Sequence, residues 1–269
     1  MNLFFYAVGF LIFLLIAHQI VRHNRIIAWL VFLICPFLLL PLAMQENSSY
    51  FLWMKVYSVC LGASWLLACR YISWAQTKVA LWILWGFFAV NILEGIVEGF
   101  LDKNLISNIN SISGILLLLT LPLIKETYVD DSKSTRDLFW NIPMMWIIGY
   151  SVWNWTFIYT IWPEFGLRHF VILLASLLIS VRNNKLWLQS RAFILGIYLL
   201  IHFSYDTPLK HLDISITYNF PLAMTAAMAG VILMTIYFIR FTKEHMLIGR
   251  FFGQQTKFFY KVGTFFTER

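Results

Sequence analysis

From Asn2 to Val21 the chain carries no Asp, Glu, Lys or Arg, and similar stretches recur as far as Phe241 with only short polar breaks between them. In hydrocarbon each such stretch must pair its own backbone N–H and C=O groups, and only helices and closed barrels do so. The runs are continuous and do not alternate with period two, so helices are the solution. A soluble domain is about a quarter charged; this chain is 12% charged and 60% hydrophobic over 269 residues.

A crossing takes about 20 apolar residues. Spans are predicted at 2–21, 26–44, 52–68, 79–100, 109–124, 138–162, 167–181, 186–205 and 216–241. The fifth and seventh are short enough for half-helices or re-entrant segments, which makes eight crossings the competing count. The expected fold is an all-α polytopic transmembrane helical bundle, with one domain over 1–241 and a basic cytoplasmic tail over 242–269. In the tail Phe251, Phe258, Phe259, Val262, Phe265 and Phe266 recur at helical spacing, with Lys257 and Lys261 interleaved. That pattern suits an amphipathic helix on the inner membrane surface, in contact with anionic lipid headgroups.

Orientation follows from the cations, which gather in cytoplasmic loops. With nine spans and the N-terminus outside, only Lys103, Arg168 and Lys210 fall on the outer side and Lys55 falls within a span; the other sixteen of the twenty Lys and Arg lie inside. This distribution accounts for the net charge of +7 without a nucleic-acid partner. No cation precedes the first run, as a cleavable signal would require, so that run is expected to stay as a span. Cys35, Cys60 and Cys69 are odd in number and lack Cys-x-x-Cys spacing, which argues against a disulfide framework.

Polar residues inside the runs are the candidates for function, because an ionisable group at mid-bilayer costs about 2.5–3.5 kcal/mol and normally has a partner or a task. Asn91, Glu94 and Glu98 share one helix face by their i, i+3, i+7 spacing, and Lys55 on the preceding span is the natural counter-charge. The alternative reading of that pair is a buried staple between two helices. Gly95 and Gly99, four apart, permit close helix packing. Tyr150 and Asn154 share a face in an aromatic segment with Trp146, Trp153 and Trp155, which suits an organic or cationic ligand. Tyr57 and His202 add polar groups toward the same outer half. Trp187, Gln189 and Arg191 open the eighth span on the inner side, where anchoring or a headgroup contact is expected. Pro143 and Pro221 are expected to kink the sixth and ninth spans. No P-loop, G-x-S-x-G, H-E-x-x-H or Cys/His cluster is present in the sequence, so neither a metal site nor a cofactor is expected.

Several of these segments are similar to a family of bacterial multi-pass membrane proteins described only as a domain of unknown function. The likeness rests on Trp53-Met-Lys55-Val-Tyr57-Ser58 with Arg70-Tyr71, on Asn91-Ile-Leu-Glu94, on Trp146-Ile-Ile-Gly-Tyr150 with Trp153-Asn154, and on Trp187-Leu-Gln189-Ser-Arg191-Ala. Glu98 and the tail are outside the shared pattern. The resemblance implies a bacterial single-domain protein of the cytoplasmic (inner) membrane and carries no activity with it.

The expected function is therefore transport or binding of a small solute in an outward-facing pocket lined by Lys55, Tyr57, Asn91, Glu94, Tyr150 and Asn154, with Glu94 as the coupling group. A membrane-embedded enzyme acting on a lipid or lipid-linked substrate is the alternative, with Glu94 or His202 as acid or base and Arg191 at a headgroup. A non-catalytic subunit or receptor-like bundle is the third reading.

Overall fold

The computed structural model describes residues 3–45, 50–124, 127–204 and 216–247. The expected tail helix, and the cations Lys125 and Lys210, lie outside the described residues. Among those described, nine helical segments follow the order of the nine apolar runs: α1 (Leu3–His23), α2 (an interrupted helix from Arg25 to Ala43), α3 (Tyr50–Tyr71), α4 (Lys78–Leu101), α5 (Leu105–Leu119), α6 (Met144–Ile161), α7 (Gly166–Arg182), α8 (Trp187–Phe203) and α9 (Phe220–Leu247). Five stretches are long and apolar enough to cross a membrane: Leu3–His23, Lys78–Leu101, Pro163–Arg182, Asn184–Phe203 and Phe220–Glu244. The seventh run, expected to be short, is among them, because the 3-10 turn Pro163–Phe165 leads directly into α7. The fifth remains short at 15 residues.

Proline placement departs from expectation for a local reason. Pro143 sits at the N-cap of α6 and Pro221 in the first turn of α9, where the missing N–H costs nothing, so neither kinks a helix. Pro143 also disfavours helix for the residue before it, and the expected sixth span therefore begins at Met144. Leu138–Trp140 instead forms β2, paired antiparallel with β1 (Thr127–Val129). The broken helix is α2. Pro36 cannot donate to the carbonyl four residues back, and a π turn over Leu30–Ile34 precedes it. A second break falls at Leu39, just ahead of Pro41.

The helices pack in two groups. One gathers α8 with α1, α3 and α7; the other gathers α5 with α4, α6 and α9; α3 on α4 and α6 on α7 join them. Small residues set the closest approaches in the second group, as is usual between membrane helices. A Cβ on Gly114 would stand 2.6 Å from Ile96 and 2.7 Å from the Trp153 indole nitrogen. A Cβ on Gly99 would collide with Ser111, so Gly99 serves α4–α5 packing as its spacing suggested.

The distribution of polarity is that of a bundle built for a membrane. Phe4, Phe5, Ile26, Val79 and Val90 are exposed, while Arg70, Asp137, His169, Gln189 and Arg191 are buried. Water would reverse that sorting.

Candidate functional site

One end of the bundle is closed by a polar knot. Asp137, just ahead of β2, accepts two hydrogen bonds from Arg22 at the end of α1, at 3.0 and 2.7 Å. It also accepts from Gln189 Nε2 at 2.8 Å and Thr135 Oγ1 at 2.9 Å, and Arg70 at the end of α3 stands 3.9 Å away. Arg70 donates to the backbone carbonyls of Arg22, Thr135 and Arg136, and Arg136 Nε returns a bond to the Arg70 carbonyl at 2.9 Å. Gln189 completes the set by accepting from Leu138 N–H at 3.0 Å. Burial alone would raise the Asp137 carboxyl, but the bonds from Arg22 and Gln189 and the Arg22 charge outweigh it and hold the group at about 2. These contacts bring the ends of α1 and α3, the hairpin and the start of α8 to one side of the molecule.

The second polar cluster lies between the two helix groups, buried at Asn154, His169 and Arg191 and half-buried at Lys55 and Glu94. Lys55 Nζ on α3 and Glu94 Oε2 on α4 form an ion pair at 2.6 Å, as the sequence suggested. Glu94 Oε1 is shielded from solvent and meets no donor among the described residues. Nearby, Asn154 Oδ1 on α6 accepts from Arg191 Nη2 at 2.9 Å and lies 2.6 Å from His169 Nε2 on α7. Arginine can only donate, so the amide oxygen must face it, and His169 then presents an Nε2–H. The Arg191 guanidinium also lies 6.0 Å from the centre of the Tyr150 ring, at the outer range of a cation–π contact.

Two cavities flank this cluster. The first, about 110 Å³, is bordered by Lys55 and Asn91 at its polar side and by Phe157, Trp162, Phe165 and Phe203 at its apolar side, with Asn154, His169 and Arg191 in its wall. An enclosed engineered cavity of about 150 Å³ holds benzene; this one is partly open, so it suits a ligand with a body of about one small ring. The second, about 220 Å³, lies between α3, α4 and α8 and includes Asn91, Glu94, Tyr150 and Arg191. Val90 among its lining residues is 62% exposed, so this cavity reaches the apolar outer surface of the bundle. Asn91 and Arg191 border both.

The expected site residues separate accordingly. Lys55, Asn91, Asn154, Trp153, Arg191 and His202 border the first cavity, and Glu94 and Tyr150 the second. Tyr57 turns away and donates to the Pro36 carbonyl of α2 at 3.2 Å. Glu98, a turn beyond Glu94, lines neither cavity. Trp187, Gln189 and Arg191 do not anchor at an interface: all three are buried, the first in the aromatic core, the second in the knot and the third in the cavity wall. His169 escaped the sequence reading because it sits near the start of its run. Its signal was periodicity, since His169, Ile172, Ser176 and Ser180 share the buried face of α7.

The model of a protein family described as "Family of unknown function (DUF5692)" matches residues 2–255. No curated protein and no solved structure matches the chain.

Proposed function

The chain belongs to that family, which brings no activity with it, and from the geometry we propose that it binds and transports a small solute through the cavity beside the Lys55–Glu94 pair. The observation that carries this reading is the pair itself, two charges 2.6 Å apart contributed by two apolar helices at the junction of the helix groups. As a staple alone it is poorly motivated: the pair is only half-buried, and even a fully buried ion pair can often be replaced by well-packed apolar groups with an effect that is neutral or stabilising by about 1–4 kcal/mol. At a cavity wall the same pair can be opened by a solute or a proton, which couples occupancy to the contact between α3 and α4. Transporters commonly place their solutes in such polar sites between helix groups.

In the membrane the protein crosses nine times, with its N-terminus outside and the knot cytoplasmic. Arg22, Arg25, Arg70, Arg136, Arg182 and Lys185 all belong to the knot end in this arrangement, which agrees with the charge rule. Arg191 leaves that tally, being buried in the cavity wall. The shortness of α5 is tolerable because α4, α6 and α9 pack around it.

The test needs no ligand. In a variant lacking Cys35, Cys60 and Cys69, a cysteine replacing Leu199 on the cavity wall is expected to react with a membrane-impermeant maleimide added outside intact cells, and one replacing Lys185 to react only after permeabilisation. A Leu199 site that stays protected in the folded protein, or a Lys185 site labelled from outside, contradicts the reading. Glu94→Gln weakens the pair and is expected to change the labelling rate at Leu199; an unchanged rate reduces the pair to packing. The lipid-facing opening of the second cavity favours one other reading, an enzyme acting on an amphiphile that enters from the bilayer. In that case amphiphiles protect a cysteine replacing Ala192, which borders the second cavity and not the first, and leave the Leu199 thiol reactive.

A further inference from the structure

Arg191 is 4% exposed, and its Nε and Nη1 are both shielded from solvent without an acceptor among the described residues. Its one side-chain hydrogen bond among the described residues is to the neutral oxygen of Asn154. Guanidinium stays protonated in proteins, and an ionised group taken out of water without a counter-charge is among the most costly arrangements a fold can hold. The charge count around the cavity shows what is missing. Lys55 is balanced by Glu94, and the ion pairs formed among the described residues leave Arg191 without a carboxylate. Among the described residues Arg191 is therefore a buried cation with no carboxylate paired to it, between two cavities that it borders.

We propose that Arg191 is the anchor for a small organic monoanion, a carboxylate whose apolar or aromatic body lies against Phe157, Trp162, Phe165 and Phe203. The carboxylate takes the donors the chain leaves unused, helped by rotation of the flexible Arg191 side chain, and charge-assisted bonds of this kind are the strong ones. A zwitterion would bring a second cation into a wall that already holds Lys55 and Arg191. An inorganic anion would surrender its hydration to aromatic walls that offer it nothing in return. The volume of about 110 Å³ limits the body to roughly one small ring. Asn154 is the positioning residue: by accepting from both Arg191 and His169 it fixes the guanidinium against the cavity wall.

This inference deepens the transport reading and rests on it. Its test uses the full chain, purified and reconstituted in vesicles of zwitterionic lipid alone, with benzoate as probe and benzamide as its neutral isostere. Benzoate is expected to raise the melting temperature and benzamide to leave it unchanged. Losing a charge-assisted bond should weaken apparent benzoate affinity in Arg191→Met by roughly ten- to a hundredfold, with partial retention in Arg191→Lys. Equal responses to benzoate and benzamide, or a wild-type benzoate response in Arg191→Met, overturn the proposal, and the isostere comparison decides it on the native protein if the variant does not fold. A benzoate response that requires anionic lipid in the vesicle assigns the site to a headgroup and also overturns it. Maleimide labelling at Leu199 separates the two levels: an accessible thiol with no benzoate response rejects the ligand class alone, whereas a closed cavity rejects both.

Discussion

The molecule buries charge in two places and treats it in opposite ways. At the knot, Asp137 receives four hydrogen bonds and has two guanidinium groups for company. In the cavity wall, Arg191 has one neutral acceptor and two idle nitrogens. A polar network that is nearly complete holds elements in place; one that is left short of partners is poised to accept them from outside the chain. The first cluster therefore reads as architecture and the second is the proposed binding site, although both contain buried arginine.

The contrast breaks most visibly under substitution of the two charged centres. Asp137→Ala strips the counter-charge from Arg22 and Arg70, and removing one partner of a buried pair costs about 3–5 kcal/mol. A large fall in melting temperature is expected in detergent or vesicles, with the benzoate response of the remaining folded protein unchanged. A stability close to wild type would show that the knot is ornamental.

Acid probes the same region without mutation. The Asp137 carboxyl titrates at about 2 in the folded protein against an ordinary 3.8, so its contribution is present above about pH 4 and is lost as pH falls through 2. Thermal stability measured from pH 5 downward should decline in that window in the native protein and more shallowly in Asp137→Asn. Parallel curves would detach the decline from this group.

A smaller effect is expected at Gly114, where an added methyl meets Ile96 and the Trp153 indole. Overpacking of this kind costs about 1–3 kcal/mol. Gly114→Ala should also displace Trp153 against the cavity, lowering benzoate affinity more than melting temperature; the reverse ranking would separate Trp153 from the site.

Arg191→Met is expected to have the least effect on stability, neutral or slightly favourable, because an uncompensated buried charge gives way to an apolar side chain of similar reach. A loss as large as that of Asp137→Ala would place Arg191 with the architecture, alongside Arg70.

Much of the fold was legible in the chain. Hydropathy and charge are local properties, and nine apolar runs became nine helical segments among the described residues, in order. The pairing of Lys55 with Glu94 was legible too, because two isolated opposite charges on consecutive apolar runs have few other partners. The limits of that reading are equally local in origin. The apolar triplet Leu138–Trp140 resembles the start of a span until its pairing with Thr127–Val129 is seen, and Tyr57 shares a helix with Lys55 but faces α2.

What the sequence alone determined was an apolar solvent, the order of the helical runs among the described residues, and which residues would be costly to bury. Only the tertiary structure decided how those costs are met. Arg22 and Asp137 are 115 positions apart, Arg191 and Asn154 37 apart, and no periodicity reaches across such separations. Hydrophobic patterning states that a face must be buried; which polar groups then meet, and which are left waiting for a partner, depends on how two groups of helices close on each other.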